Sequence, residues 1–420
     1  MNTIKAIFSV ATLVVSVSVV AVEITVDKVT QRYPWNGIVD IEYTIDDGGV
    51  QLGSNYCVQV LAIDHSQTPA VTNAAYNFNQ APFPVTSGKH RIMWNANADG
   101  VEFNSENVEV AISILRYSPR WLIIDLSEGS SATNYSYTVT DTEPVGINAV
   151  ENEETYKLNK LVLRLIPPGS YMMGSPSSEL GREANWEAQH RVVITRPFYV
   201  SVFEVTKGQY YKVCKGTAPT GDARFHPVSV VFNTARGSSV DYDWPSTNGV
   251  DNTKFMGLLR TKTGLEFDLL TEAQWEYACR AGTTTALYDG VNHTTEVSFT
   301  NALTKLARYR LNVNDGKSRD GSTTTAIVGS YLPNAFGLYD MLGNLRELCL
   351  DHVMRDGSLP NDVVDPPGWK VADSTWRCMR GGDYGQYRSI YDNRCAERNL
   401  KEEPGQVAGA IRLGLVLPRK

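Results

Sequence analysis

TEAQWEYACRAG, Thr271 to Gly282, decides how the second half of the chain is built. Thr271 stands where a helix N-cap is needed, and its hydroxyl can accept from the free amide groups of the first turn. Glu272 adds a negative charge at the positive end of the helix dipole. Ala273, Trp275, Ala278 and Cys279 then fall near one face, and Gly282 is placed to stop the helix. The surroundings are different. From LNKLVLRLIPPGSYMMGS (Leu158 to Ser175) onward come long loops and many aromatics, with one weaker helix around SVVFNTARG (Ser229 to Gly237). EVTKGQYY adds an N-capped helical start at Thr206. The half is therefore rich in loops and aromatics, with few convincing helices.

Residues 22–126 read as all β. VEITVDKV, GIVDIEYTI, NYCVQVLAI, KHRIMWNA and NVEVAISIL alternate apolar and polar residues between turn clusters. That spacing, without helices, predicts a small immunoglobulin-like β-sandwich. HRIMWNANADGVEFNSENVEVAISI, His90 to Ile114, reads as one hairpin with Trp94 on the inner face. The polar stretch 127–160 is a linker or an ordered crossover, and residues 161–420 form the second domain.

The first 21 residues resemble a secretory signal peptide: Lys5, an apolar run from Ala6, and Val19 and Ala21 at the −3 and −1 positions of a cleavage after Ala21. The run is short for a spanning helix, which disfavours a membrane anchor. No cysteine lies near the cleavage point, which disfavours a lipoprotein. A secreted, periplasmic or cell-surface protein is expected, with no membrane attachment after cleavage. Removing Lys5 with the leader takes the formal charge of the 420-residue chain from −7 to −8. Such a surface has no reason to seek nucleic acid or anionic lipid. Its partners are expected to be a protein, peptide or glycan. Six cysteines (Cys57, Cys214, Cys279, Cys349, Cys378, Cys395) without a CxxC, and six histidines without matching spacing, disfavour structural zinc.

The chemistry-bearing stretch is MRGGDYGQYRSIYDNRC, Met379 to Cys395. Three tyrosines, three arginines and two aspartates surround a glycine pair there. The mix can line a reaction pocket, line a recognition surface, or brace irregular chain. Asp383, Tyr384, Gln386, Tyr387, Arg388 and Tyr391 are the pocket candidates. Arg394 and Arg398 read better as braces, since guanidinium offers five donors to loop carbonyls.

LIPPGSYMMGSPSSE, AQHRVVITRPFYVSVFEVTKGQYYKV, FHPVSVVFNTA, LLTEAQWEYACRAGT, PNAFGLYDMLGNLRELCLD and RGGDY occur in that order. Together, from Leu161 to Leu417, they resemble the formylglycine-generating enzyme (sulfatase-modifying factor) family. The resemblance implies a mixed α+β, C-type-lectin-like fold with little regular secondary structure. It also implies either copper-dependent oxidation of a substrate cysteine through two nearby cysteines, or the nonheme-iron sulfoxide synthase chemistry of some members. An ungapped match places Gln386 and Tyr391 where the two cysteines would stand. An amide and a phenol supply neither two thiolates for Cu(I) nor a redox disulfide. The iron-using members take histidines largely from an additional helical domain, whereas here the first domain is β and His65 and His90 are isolated. Neither copper nor iron is expected. His190 and His226 sit in family-typical positions and read as loop anchors. The expectation is a ligand- or partner-binding pseudoenzyme, with an oxidoreductase using a non-canonical centre in the same cleft as the alternative.

Three further expectations rest on the resemblance. Cys279 and Cys395 match positions bridged by a disulfide in secreted members. Cys349 with Cys378 is a second pairing suggested by adjacent motifs, which leaves Cys57 and Cys214 buried and free. Asp340, Gly343, Leu345 and Glu347 match a calcium site, with aspartate here where the family has asparagine. Two carboxylates and two carbonyls, the latter freed by Gly343, suit a hard cation. A second family calcium site is not convincingly matched around Ala307 to Asp320.

Overall fold

The computed structural model describes residues 7–10, 12–17, 20–33, 37–46, 48, 56–66, 68, 70–75, 87–96, 107–116, 121–194, 196–238, 249–352, 363–366, 377–385, 389–399 and 408–415. Contacts divide the chain into a first unit, essentially residues 1–118, and a second unit holding most of the remainder.

The described residues of the first unit form two four-stranded sheets. In chain order its strands are β1 Ile7–Val10, β2 Thr12–Val17, β3 Val20–Gln31, β4 Ile38–Asp46, β5 Tyr56–Asp64, β6 Val71–Ala75, β7 Gly88–Asn95 and β8 Asn107–Arg116. One sheet runs β1-β8-β5-β6 and the other β2-β3-β4-β7. The alternation of β4 is strict, and its inward residues Val39, Ile41, Tyr43 and Ile45 join Trp94, Val60 and Val110 in one buried cluster. Burying Trp94 fully agrees with the sequence. Its hairpin does not. β7 pairs with β4, whereas β8 pairs with β5 in the other sheet. Alternation reports which face of a strand is buried, not which strand lies beside it. The segment read as a signal peptide also takes part: β2 pairs with β3, and β1 runs parallel to β8.

The second unit centres on a six-stranded antiparallel sheet, in the order Tyr137–Thr140, Trp121–Asp125, Lys160–Ile166, Phe198–Ser201, Leu413–Leu415, Phe267–Leu269. Trp121–Asp125 thus belongs to this sheet, beyond the first unit's end at Ser118. Residues 127–160 are an ordered crossover. Tyr135 is buried and donates its hydroxyl to Lys212 O at 2.7 Å, and Leu126 N donates to Asn159 O at 2.7 Å.

Five α-helices cover the described part of this unit: α1 Lys207–Val213, α2 Phe232–Ala235, α3 Phe255–Thr263, α4 Glu272–Arg280 and α5 Glu296–Leu306. The sequence reading missed α3 and α5 and gave α2 more weight than its four residues bear. α1 and α4 carry full capping boxes, Thr206 with Gln209 and Thr271 with Gln274. Such caps are worth roughly 1 kcal/mol each. α4 ends with Ala281 in the left-handed region (φ 45°), followed by Gly282 at φ 93°. No helix among the described residues is long and apolar enough to cross a membrane.

Candidate functional site

α4 forms the floor of the site, and it is buried on every side, charged residues included. Its polar face meets arginines instead of water. Arg398 donates to both Glu272 oxygens at 2.6 and 2.7 Å. Arg380 pairs with Glu276 and lies 3.5 Å from Glu272. Arg280 donates to Glu276 at 2.8 Å. Burial pushes the Glu272 carboxyl up, but Arg398 and Arg380 outweigh it and hold the group at about 2. Arg380 also donates to the carbonyls of Ala396 and Glu397, both at 2.8 Å, and so ties the chain after Tyr391 to the helix.

The glycine pair turns the chain where no side chain fits. Gly381 and Gly382 have φ 91° and 72°. A Cβ on Gly382 would lie 2.5 Å from both Asp392 O and Asn393 Oδ1. Asp383 is buried, accepts from Arg346 Nε at 2.7 Å and from Gly385 N at 2.7 Å, and so has its charge balanced internally. Tyr384 is half-buried and its amide donates to Asn344 O at 3.1 Å. Gln386, Tyr387 and Arg388 lie outside the described residues. Tyr391 is half-buried. Its ring stands edge-on to Phe299 at 5.0 Å, and it packs so close to Gly181 that a Cβ there would lie 2.3 Å away. Partial burial, then hydrogen bonding to Glu296, raises the Tyr391 phenol, so it stays protonated and acts as a hydrogen-bonding group.

Arg394 is fully buried beneath this rim. It donates to Tyr391 O at 2.9 Å, to Glu179 at 2.7 Å, to both Glu187 oxygens at 2.6 and 2.8 Å, and to Glu397 at 3.2 Å. Arg398 donates to Trp186 O at 3.0 Å as well as to Glu272. His226 Nδ1 meets Thr325 Oγ1 and Nε2 meets Ser318 O, each at 2.8 Å. His190 Nδ1 contacts Ala188 O at 3.1 Å.

The turn read as a calcium site holds an excess of buried carboxylate. Glu347 is taken by Arg412, with both oxygens within 2.9 Å of its nitrogens, and by Trp275 Nε1 at 2.6 Å. Both of its oxygens thus already have partners within the protein. Asp340 sits at φ 56° and accepts from Gly329 N at 2.5 Å through Oδ2. Its Oδ1 is buried and has no partner among the described residues. Glu204, which the sequence reading missed, faces the same place. It accepts from Asn344 Nδ2 at 2.7 Å and Leu345 N at 3.3 Å. Burial first, then Asp340 and Glu347, push Glu204 well up. Burial likewise lifts Asp340 to about 6, against the pull of the Gly329 amide, Arg412 and Lys157. The sequence signal was available: Glu204 is a lone charge inside the apolar run VSVFEVT. Among the described residues no three side chains of His, Cys, Asp or Glu converge as metal ligands, so carbonyls would have to supply most of a cation's shell here.

Near Ala307 to Asp320 a guanidinium fills a comparable nest. Buried Arg308 donates to Thr324 O at 2.9 Å, Asn312 O at 3.0 Å, Val313 O at 2.6 Å and Asp315 Oδ1 at 2.6 Å. The thiols are gathered but closed to solvent. Cys279 and Cys395 are buried with sulfurs 3.7 Å apart, and Cys349 and Cys378 are buried and free. Burial raises the thiols of Cys279, Cys349 and Cys378. Cys214 is half-buried at the end of α1, and nothing is described of the Cys57 side chain.

A β-rich unit with few helices, knitted by arginine–carboxylate pairs beneath a glycine turn, is what the fold and site define. The chain belongs to the sulfatase-modifying factor family: residues 148–413 match the Sulfatase-modifying factor enzyme 1-like domain. It is 28% identical over 256 residues to the formylglycine-generating enzyme of Streptomyces coelicolor, covering 52% of this chain and 77% of that protein. It is 25% identical over 310 residues to the formylglycine-generating enzyme of Bos taurus, covering 65% and 78% respectively. Among solved structures, PvdO from Pseudomonas aeruginosa aligns with a TM-score of 0.43 at 25% identity, over 61% of this chain and 94% of that one.

Proposed function

We propose that this protein is an exported member of the family that binds a protein, peptide or glycan ligand and does not generate formylglycine. The observation that carries the reading is Tyr391. At the rim of the glycine turn stands a phenol packed on Phe299 and raised by burial and the nearby Glu296 charge, where the family match calls for a thiol. Aromatic faces and hydroxyls of this kind give contact area at low entropic cost. Cys279, Cys349, Cys378 and Cys395 are fully buried, and burial raises the thiols of the first three, away from the thiolate that nucleophilic or metal-binding chemistry needs. The first unit, two sheets around one apolar cluster, is read as a β-sandwich module, and the family domain as C-type-lectin-like.

Calcium belongs to this reading as a structural ion near Asp340. Three buried carboxylates around one guanidinium leave an excess of negative charge, and Asp340 Oδ1 is a hard oxygen without a partner among the described residues. Export is tested by the N-terminus of the mature chain, which should begin at Val22. Binding is tested on glycan and peptide arrays with wild type and Tyr391→Ala, alongside metal analysis. Saturable binding that weakens in the variant supports the reading. Stoichiometric copper or iron in the purified protein would overturn it in favour of an oxidoreductase.

A further inference from the structure

Cys349 and Cys378 stand on neighbouring antiparallel strands, Glu347–His352 and Arg377–Arg380. Glu347 pairs with Arg380 and Leu348 with Met379. Cys349 and Cys378 are the next residues beyond the Leu348–Met379 rung, in the stretch where the register shifts before His352. Directly opposed residues have Cα atoms about 4.5–5.5 Å apart, inside the span a disulfide accepts. The two side chains are fully buried, both are free thiols in this structure, and they lie close enough to act on each other's ionisation. Glu272 lies beside Cys378, within the arginine network under the site.

We propose that Cys349 and Cys378 form a cross-strand disulfide during folding, and that native packing then shields it from reductants. The oxidant is a thiol–disulfide oxidoreductase or a glutathione-type disulfide. One cysteine thiolate attacks the carrier disulfide and forms a mixed disulfide. The second then displaces the carrier thiol as the Sγ–Sγ bond closes. Two protons and two electrons leave the pair, and the carrier disulfide is reduced to two thiols. Burial sets the timing, because a carrier must reach both sulfurs before the strands and α4 close over them. The bond joins the strand that carries Glu347, partner of Arg412 and Trp275, to the strand that runs into Gly381, Gly382 and Asp383. It therefore fixes the base of the rim against the arginine network. Cys279 with Cys395 is a separate pair, and peptide mapping distinguishes the two.

The test uses the full chain secreted into an oxidising compartment. One sample is denatured in alkylating agent without reductant, digested and mapped by mass spectrometry. A second is held natively in millimolar dithiothreitol before the same treatment. The expected result is a linked Cys349–Cys378 peptide, lighter than its two free halves by two hydrogens, that survives native reductant and disappears when reductant and denaturant act together. Two outcomes overturn the proposal: both cysteines alkylated without reductant, or a bond reduced as fast in the native protein as in the denatured one.

Discussion

Replacing Asp340 by asparagine tests the buried carboxylate cluster directly. In an unfolded chain this carboxyl titrates near 3.8, and in the fold burial lifts it to about 6. Between those values the folded chain keeps a proton that the unfolded chain has released. Stability therefore falls as pH rises through that window, and the favourable contribution, complete below about 4, is gone above about 6. Roughly two pH units at about 1.4 kcal/mol each amount to about 3 kcal/mol. The substituted side-chain amide would keep an oxygen for the Gly329 N–H and carry no charge. In chelator, Asp340→Asn should match wild type near pH 4 and exceed it by up to about 3 kcal/mol at pH 7, a rise of roughly 6–12 °C in melting temperature. Glu204 pushes the same way, because removing its charged neighbour eases its own ionisation. Calcium should stabilise wild type at pH 7 and lose that effect as the carboxylates protonate, since proton and cation compete for one oxygen. Calorimetric melts from pH 4 to 8, with calcium and with chelator, give all four curves. A variant less stable than wild type at pH 7 in chelator, or a wild-type profile unchanged by the substitution, would refute the electrostatic reasoning. Identical wild-type melts with calcium and chelator would remove calcium from the account and leave the proton effect standing.

Arg308→Ala should lower stability by roughly 3–5 kcal/mol in denaturant unfolding, because it strands Asp315 and three carbonyls that meet one guanidinium. Arg308→Lys should recover little of that, since one ammonium cannot reach the positions of three nitrogens. Gly382→Ala should cost about 2 kcal/mol or more, from the left-handed backbone and the contact with Asp392 O, and should weaken ligand binding through the displaced rim; a variant as stable as wild type would mean the turn relaxes freely.

What was legible in the sequence was local. The caps of α1 and α4 are written within four residues each, and the structure uses both in full. The alternation of β4 placed its apolar residues inside. What failed depends on partners far along the chain. Nothing local announces that Glu272, Glu276 and Arg280 are buried, because Arg380 and Arg398 arrive from far along the chain to meet them. Likewise nothing near Glu347 in sequence announces that Arg412 pairs with it. α3 starts at Lys254 without a side-chain cap and contains a glycine, so it gives a weak helix signal. α5 does begin with a cap, Thr295 accepting from Ser298 N, but it lies in a stretch rich in threonine and asparagine that reads as loop. The family motifs, being ordered along the chain, carried what periodicity could not.

The central claim is that the rim has exchanged thiol chemistry for binding. Its most direct measurement is incubation of the purified, copper-loaded protein with a CxPxR-containing peptide and oxygen, followed by mass spectrometry of the peptide. With Tyr391 at the rim and the neighbouring thiols buried, the peptide cysteine should remain unchanged through prolonged incubation. Conversion of that cysteine to formylglycine, at a rate that scales with protein concentration, would contradict the account.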